Sequence, residues 1–250
     1  MNSCLLWDFD GVIVDSIEEC LLVSYNAFLK YEMISNDFFE DVKSIPVSVR
    51  EEFRKTRKYV RRAGGYYILH QAMALGQKIQ DRAGFEELFE DNIQAVKDYE
   101  DFFFSARVQL RAQRPQYWLD LHHPYAWVKD KWEGLKQFFD FYVVSNKDVF
   151  SISLLLRNAG LALEEDHLFG QEFSSDKRMI IKHILDQTKV EKGRILFVDD
   201  NYYHLLDVRD LGVQLFFATW GYGELPLKLD NEITFLNVGN FDEQLLKGKK

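Results

Sequence analysis

A chain of 250 residues has room for one large domain, or for a core carrying a second, smaller one. Its apolar fraction of 47% excludes wholesale disorder, and its net charge of -9 sets aside nucleic acid and anionic membrane as partners. The only cysteines are Cys4 and Cys20, with no Cys-x-x-Cys pair, which excludes a disulfide framework and a thiolate zinc site.

The first element is the near-continuous apolar run of "CLLWDFDG", the pattern of a strand covered on both faces. No basic stretch running into an apolar one precedes it, and no apolar run approaches the roughly 20 residues that span a bilayer. A soluble, cytoplasmic protein is therefore expected. Helical periodicity then takes over from residue 17 to about residue 122, plainly in "EECLLVSYNAFLKY" and "FEELFEDNIQAVKDYEDFFF". A flexible turn is expected at "AGGYY", residues 63–67. A helical block of this length is too long for one crossover between strands. It is expected to form a separate domain over 17–122, inserted into a core made of 1–16 and 123–250. His122 and His123, ahead of Pro124, read as the linker returning from the insert. As neighbours in the chain they do not share a face and make a poor metal pair.

Beyond the insert, helices and strands alternate. "AWVKDKWEGLKQFF" reads as a helix, "FDFYVVSN" as a strand, and "VFSISLLLRNAG" and "KRMIIKHILDQT" as helices. "GRILFVDD" reads as a strand, "YYHLLDVRDLG" as a helix, and "VQLFFATWG" and "EITFLNVGN" as further strands. Gly160 and Gly212 fall where helices would end. The expected fold is α/β: a Rossmann-like, doubly wound parallel sheet with right-handed crossovers and an inserted all-helical domain.

Three of these strands end in clustered polar residues: Asp8 and Asp10, Ser145 and Asn146, Asp199 and Asp200. Any one of them reads as an ordinary turn, but open parallel sheets hold their ligands at the carboxyl ends of strands. Residues two apart on a strand share a face, so Asp8 and Asp10 are expected to project together. Clustered carboxylates repel unless a cation lies among them, and oxygen donors suit a hard divalent ion, most simply magnesium.

At these residues the chain resembles the haloacid dehalogenase-like hydrolases. "DFDGVIVDS" is similar to the first signature of that family and "VVSNK", residues 143–147, to the second. Lys177 in "SSDKRMII" resembles the third, and "FVDDN", residues 197–201, the fourth. Their order and spacing match over the whole chain, and the helical block sits where members with a helical cap carry it. Within the family, "VVSNKDVFSISLLLRNAGL" and "FATWGYGE" are closest to phosphoglycolate-phosphatase-like members.

The resemblance implies a magnesium-dependent phosphatase for a small phosphorylated metabolite, working through an aspartyl phosphate. Asp8 would attack phosphorus, and Asp10 would protonate the leaving alcohol and then take a proton from water. A carboxylate meeting a phosphate dianion at about 4 Å faces roughly 8 kcal/mol of repulsion at an effective dielectric near 20. Magnesium and Lys177 would offset that repulsion, with Lys182 as the alternative lysine. Asp8, Asp199 and Asp200 would hold the ion, with the Asp10 backbone carbonyl as a further ligand. Ser145, Asn146, Gly11 and nearby backbone N–H groups would bind the phosphoryl oxygens. The fourth signature departs from the commoner Gly-Asp pattern, and His204, four residues past Asp200, reads as a surface helix residue.

The basic run "VREEFRKTRKYVRR" reads as a solvated helix face. Its functional reading makes Arg61 and Arg62 contacts for a second anionic group on the substrate. A phosphosugar mutase on the same fold remains the alternative, and behind it a phosphoacceptor or binding protein without turnover. Oligomeric state does not follow from the sequence.

Overall fold

The computed structural model of the protein describes residues 3–35, 37–161, 163–226 and 228–247. The chain divides into two compact units, Met1–Asp15 with His123–Lys250, and Ser16–His122.

The first unit is built on a parallel sheet. Its strands are β1 (Ser3–Trp7), β4 (Phe139–Val144), β5 (Leu168–Phe169), β6 (Ile195–Asp199), β7 (Gln214–Ala218) and β8 (Ile233–Leu236). Two short strands, β2 (Val14–Asp15) and β3 (His123–Pro124), pair antiparallel where the chain leaves and re-enters this unit. The six-stranded sheet runs β5-β4-β1-β6-β7-β8, with every pairing parallel. This is the Rossmann-like, doubly wound order, and its direction of winding reverses between β1 and β6. β5 is absent from the sequence reading because two residues are too few to carry a pattern.

Among the described residues the second unit holds six α-helices: α1 (Ile17–Tyr31), α2 (Val47–Thr56), α3 (Gly65–Ala74), α4 (Arg82–Asp91), α5 (Ile93–Gln113) and α6 (Pro115–Asp120). The core unit adds α7 (Ala126–Lys136), α8 (Val149–Ala159), α9 (Lys177–Thr188), α10 (Tyr202–Val208) and α11 (Phe241–Leu245). Among the described residues no helix is long and apolar enough to cross a membrane, and both cysteines are buried and outside any disulfide.

The apolar runs of the core strands are continuous because helices cover both faces of the sheet. Cys4, Leu6 and Phe197 pack with Ile180, Ile184 and Leu205 of α9 and α10. Trp7, of opposite pleat, stacks on Trp132 of α7 and Phe241 of α11. Gly160 and Gly212 take φ of 74° and 77° at the ends of their helices, as a left-handed cap requires.

In the helical unit α1 packs chiefly on α5. Glu19 of α1 accepts both Nε (2.7 Å) and Nη2 (3.1 Å) of Arg107 in a fully buried pair, and the Trp118 indole N–H approaches the same carboxylate. Phe103, the middle of three consecutive phenylalanines, is buried and stacks on Tyr66. The stretch "FEELFEDNIQAVKDYEDFFF" is two helices, broken at Asn92, whose backbone leaves the helical region while its side chain caps the Leu88 carbonyl. The turn at 63–67 differs from the expected flexible one. Gly64 and Gly65 are buried at the start of α3, and a Cβ on Gly64 would strike Val96 of α5. The glycines serve close helix approach, not mobility.

Candidate active site

The site lies at the carboxyl ends of β1 and β6, the crevice where the strand order reverses. β1 ends at Trp7, so Asp8 and Asp10 both lie just past it, on the turn that follows. The period of two therefore does not govern them, and their side chains take different partners. The Asp8 backbone N–H still donates to Val198 O at 2.9 Å, which holds Asp8 beside the end of β6.

Asp8, Asp199 and Asp200 are all buried, and each offers a carboxylate oxygen within 4.8 Å of the others. They form the single such group among the described residues. Lys177, the first residue of α9, reaches into the cluster, with Nζ 2.8 Å from Asp8 Oδ1 and 2.7 Å from Asp199 Oδ2. Burial opposes its charge, but Asp199 and Asp8 outweigh burial and push its pKa up to about 12. Lys182, five residues on, is exposed. Burial, with Asp199 and Asp200 adding to it, holds the Asp8 carboxyl well above its ordinary range against the pull of Lys177. Burial acts the same way on Asp199, but there Lys177 and His204 prevail and hold it below the usual range.

His204 is not the surface residue its position suggested. Its Nδ1 lies 3.2 Å from Asp199 Oδ2, the oxygen that Lys177 also contacts, while Asp199 Oδ1 accepts the Asn201 N–H at 2.7 Å. Its spacing five residues beyond Asp199, on the helix that follows, was the available signal.

The Asp10 carboxylate stands outside the three-carboxylate group and pairs with Lys147 Nζ at 3.1 Å. Lys147 closes the "VVSNK" stretch and was overlooked in the sequence, because a lysine after a strand end reads as a surface residue; here it is buried. Ser145, directly after β4, is buried too, its N–H donating to Phe169 O and its Oγ accepting the Lys147 N–H. Asn146 is half-buried between them.

Gly11 has φ of 89°, and a Cβ there would strike the Asp200 carboxyl. Asp200 is enclosed from the other side by Gly221-Tyr222-Gly223, after β7. The Tyr222 N–H donates to Asp200 Oδ2 at 2.5 Å and its hydroxyl to Asp15 Oδ1 at 2.7 Å. At Gly223 a Cβ would fall inside the contact radius of the Asp200 carbonyl oxygen. Gly223→Ala is accordingly expected to destabilise the protein by about 1–3 kcal/mol, a fall of roughly 2–10 °C in unfolding temperature. Because the clash is with Asp200, the variant should also lose most of any magnesium-dependent rise in that temperature. A thermal melt with and without magnesium reads both.

Arg61 and Arg62 belong to the helical unit. Arg62 lies 4.0 Å from Glu100 and over the ring of Phe89, and Arg61 is half-buried.

The residues fit a hard divalent cation. Asp8, Asp10, Asp199 and Asp200 set four carboxylates against the ammonium groups of Lys147 and Lys177, which leaves two negative charges. Burial first, and then Asp199 and Asp200, raise the Asp8 carboxyl, and the cluster offers oxygen donors alone.

A family model for haloacid dehalogenase-like hydrolases matches residues 3–206. No curated protein matches the chain. Solved structures do. A predicted phosphatase from Clostridium acetobutylicum superposes with a TM-score of 0.63 at 16% identity, covering 99% of both chains. A predicted phosphoglycolate phosphatase from Haemophilus somnus gives 0.62 at 15% identity over 97% of both. A haloacid dehalogenase-like family hydrolase from Streptococcus pneumoniae gives 0.60 at 15% identity, over 97% of this chain and 98% of its own. At such identities the likeness is one of fold.

Proposed function

The chain belongs to the haloacid dehalogenase-like hydrolases, and from that footing we propose that it is a magnesium-dependent phosphatase of a small phosphorylated metabolite. The observation that carries this reading is Lys177 bridging Asp8 and Asp199 within a buried group of three carboxylates at the switch point of the sheet.

Both the Lys177 ammonium and the Phe9 N–H bond Asp8 at Oδ1, at 2.8 and 2.7 Å, from which we infer that Oδ2 attacks phosphorus. Lys177 also steadies the negative charge that gathers as the phosphoryl group arrives. Asp10 gives its proton to the leaving oxygen, then takes one from the water that cleaves the Asp8 phosphate. Ser145 and the N–H groups of the loop it begins cradle the phosphoryl oxygens, with Asn146 and Gly11 alongside. Asp8, Asp199, Asp200 and the Asp10 carbonyl would hold magnesium. Bound there, the ion offsets the carboxylate charge and polarises a phosphoryl oxygen.

The helical unit, residues 17–122 on the sequence reading, acts as a cap that sets substrate choice, and Arg61 and Arg62 are its candidate contacts for a second anionic group. Arg62→Ala, or Arg61→Ala in its place, is expected to raise KM for the best metabolite at least about fivefold more than KM for p-nitrophenyl phosphate. Equal changes on both substrates would place the arginine's effect on folding or on the phosphoryl group.

The function itself is tested by a phosphate-release screen across phosphorylated metabolites with magnesium present. Free phosphate supports the phosphatase. A sugar phosphate that returns as its isomer, without free phosphate, supports the mutase in its stead.

A further inference from the structure

The Lys147 side chain is fully buried, 0% exposed, and among the largest fully buried side chains of its unit the others are tryptophan, tyrosine and phenylalanine. Taking an ammonium out of water costs several kcal/mol unless a counter-charge meets it. Asp10 Oδ1 lies 3.1 Å from the Lys147 ammonium and is one such group.

Both residues come to this pair from fixed backbone. The Lys147 N–H donates to Ser145 Oγ at 3.2 Å and its carbonyl accepts the Gln171 N–H at 3.2 Å. Gly170 sits so close beneath that carbonyl that a Cβ would lie 2.5 Å from it. Across the crevice Asp10 forms a backbone bridge with Val14, and the Gly11 N–H donates to Val14 O at 2.8 Å. The Asp10 side chain is 17% exposed, and Lys147 contacts it at Oδ1.

Resting on the phosphatase reading above, we propose that Lys147 is a positioning residue that fixes the Asp10 carboxyl for proton transfer to the leaving oxygen. In that step the bond from Asp8 Oδ2 to phosphorus forms and the bond from phosphorus to the leaving oxygen breaks. The proton passes from Asp10 to that oxygen. In the second half water gives a proton to Asp10 as its oxygen bonds to phosphorus, the bond from phosphorus to Asp8 Oδ2 breaks, and phosphate leaves an enzyme in its starting state. Lys147 keeps its own protons throughout.

Leaving groups separate this role from others. The alcohol of glycerol 2-phosphate departs poorly without a proton, whereas p-nitrophenolate departs readily. Lys147→Met is expected to lower kcat on glycerol 2-phosphate at least about a hundredfold and on p-nitrophenyl phosphate by no more than about tenfold. KM should move by less than about threefold on either ester. Lys147→Arg, which keeps a cation near Asp10, should recover part of the loss on the alkyl ester. Adding Lys147→Met to Asp10→Asn should cost little more than Asp10→Asn alone, since both act on one group. Thermal melts accompany each variant, and if Lys147→Met does not fold, Lys147→Gln takes its place in the same comparison.

Equal losses on the two esters overturn the proposal, and so does a rise in KM with kcat kept. Wild-type protein that releases phosphate from neither ester nor from any metabolite of the screen would overturn the phosphatase reading and this inference with it.

Discussion

Asp8→Asn is expected to lower phosphate release by at least about 10^3-fold, because an amide of the same shape cannot attack phosphorus. Activity within tenfold of wild type would remove Asp8 from the role. The same variant carries a second expectation, opposite in sense. The Asp8 carboxyl is raised well above its ordinary range by burial and by Asp199 and Asp200, with Lys177 pulling the other way. A carboxyl raised on folding keeps its proton in the folded chain after the unfolded chain has lost it. Stability therefore falls as pH climbs from about 4, the unfolded value, through the raised one. Above that window the metal-free protein bears a strain that asparagine does not. In excess chelator at about pH 8, Asp8→Asn should melt at a higher temperature than wild type, and the gap should close toward about pH 4. A dead enzyme that is also the more stable one separates loss of chemistry from loss of fold. A lower melting temperature at the higher pH would contradict the charge balance drawn for the site.

Chelation is expected to remove activity altogether, magnesium to restore it, and calcium to support it poorly. Calcium takes more ligands at longer range, which would displace the Asp8 carboxylate from its line to phosphorus. Binding also has a readout free of turnover. A ligand present at about 100 times its dissociation constant adds about 2.7 kcal/mol to stability, or roughly 5–10 °C in a chain of this size. That rise should be present in wild type and largely lost in Asp200→Asn. Full activity in excess chelator would take the ion, and with it Asp199 and Asp200, out of the mechanism.

The sequence made the sheet legible because burial on both faces writes unbroken apolar runs, and β1, β4, β6, β7 and β8 each fall on one. β5 writes nothing, being two residues long. The acidic members of the site were readable by the same rule, since Asp8 and the Asp199–Asp200 pair stand where such runs stop. The way they associate was not. The alternation that would pair Asp8 with Asp10 ends with the strand at Trp7, and beyond it the turn delivers Asp10 to Lys147. Lys147 escaped notice and His204 was read as a surface residue, because each stands alone in type, with no pattern to distinguish a buried side chain from an exposed one. Gly221 and Gly223 entered the sequence reading only as part of "FATWGYGE", and the closeness of Asp200 reveals why a side chain is excluded there. In the helical unit, periodicity located α1 and α5, but aromatic residues on many sides of each helix blurred the boundary at Asn92.

The two-residue ladder of β2 and β3 sets the chain's departure at Asp15 beside its return at His123. For a flexible segment, doubling the length between two points already held together costs only about 0.6 kcal/mol. The length of the segment between those residues therefore bears little on the closure at Asp15 and His123. Lineages can lengthen, shorten or exchange the insert to follow a new substrate without redesigning the catalytic crevice, and an engineer can do the same. Grafting an unrelated helical module between Asp15 and His123, or opening new chain termini inside the insert, should leave the parallel sheet folded and its strand register intact.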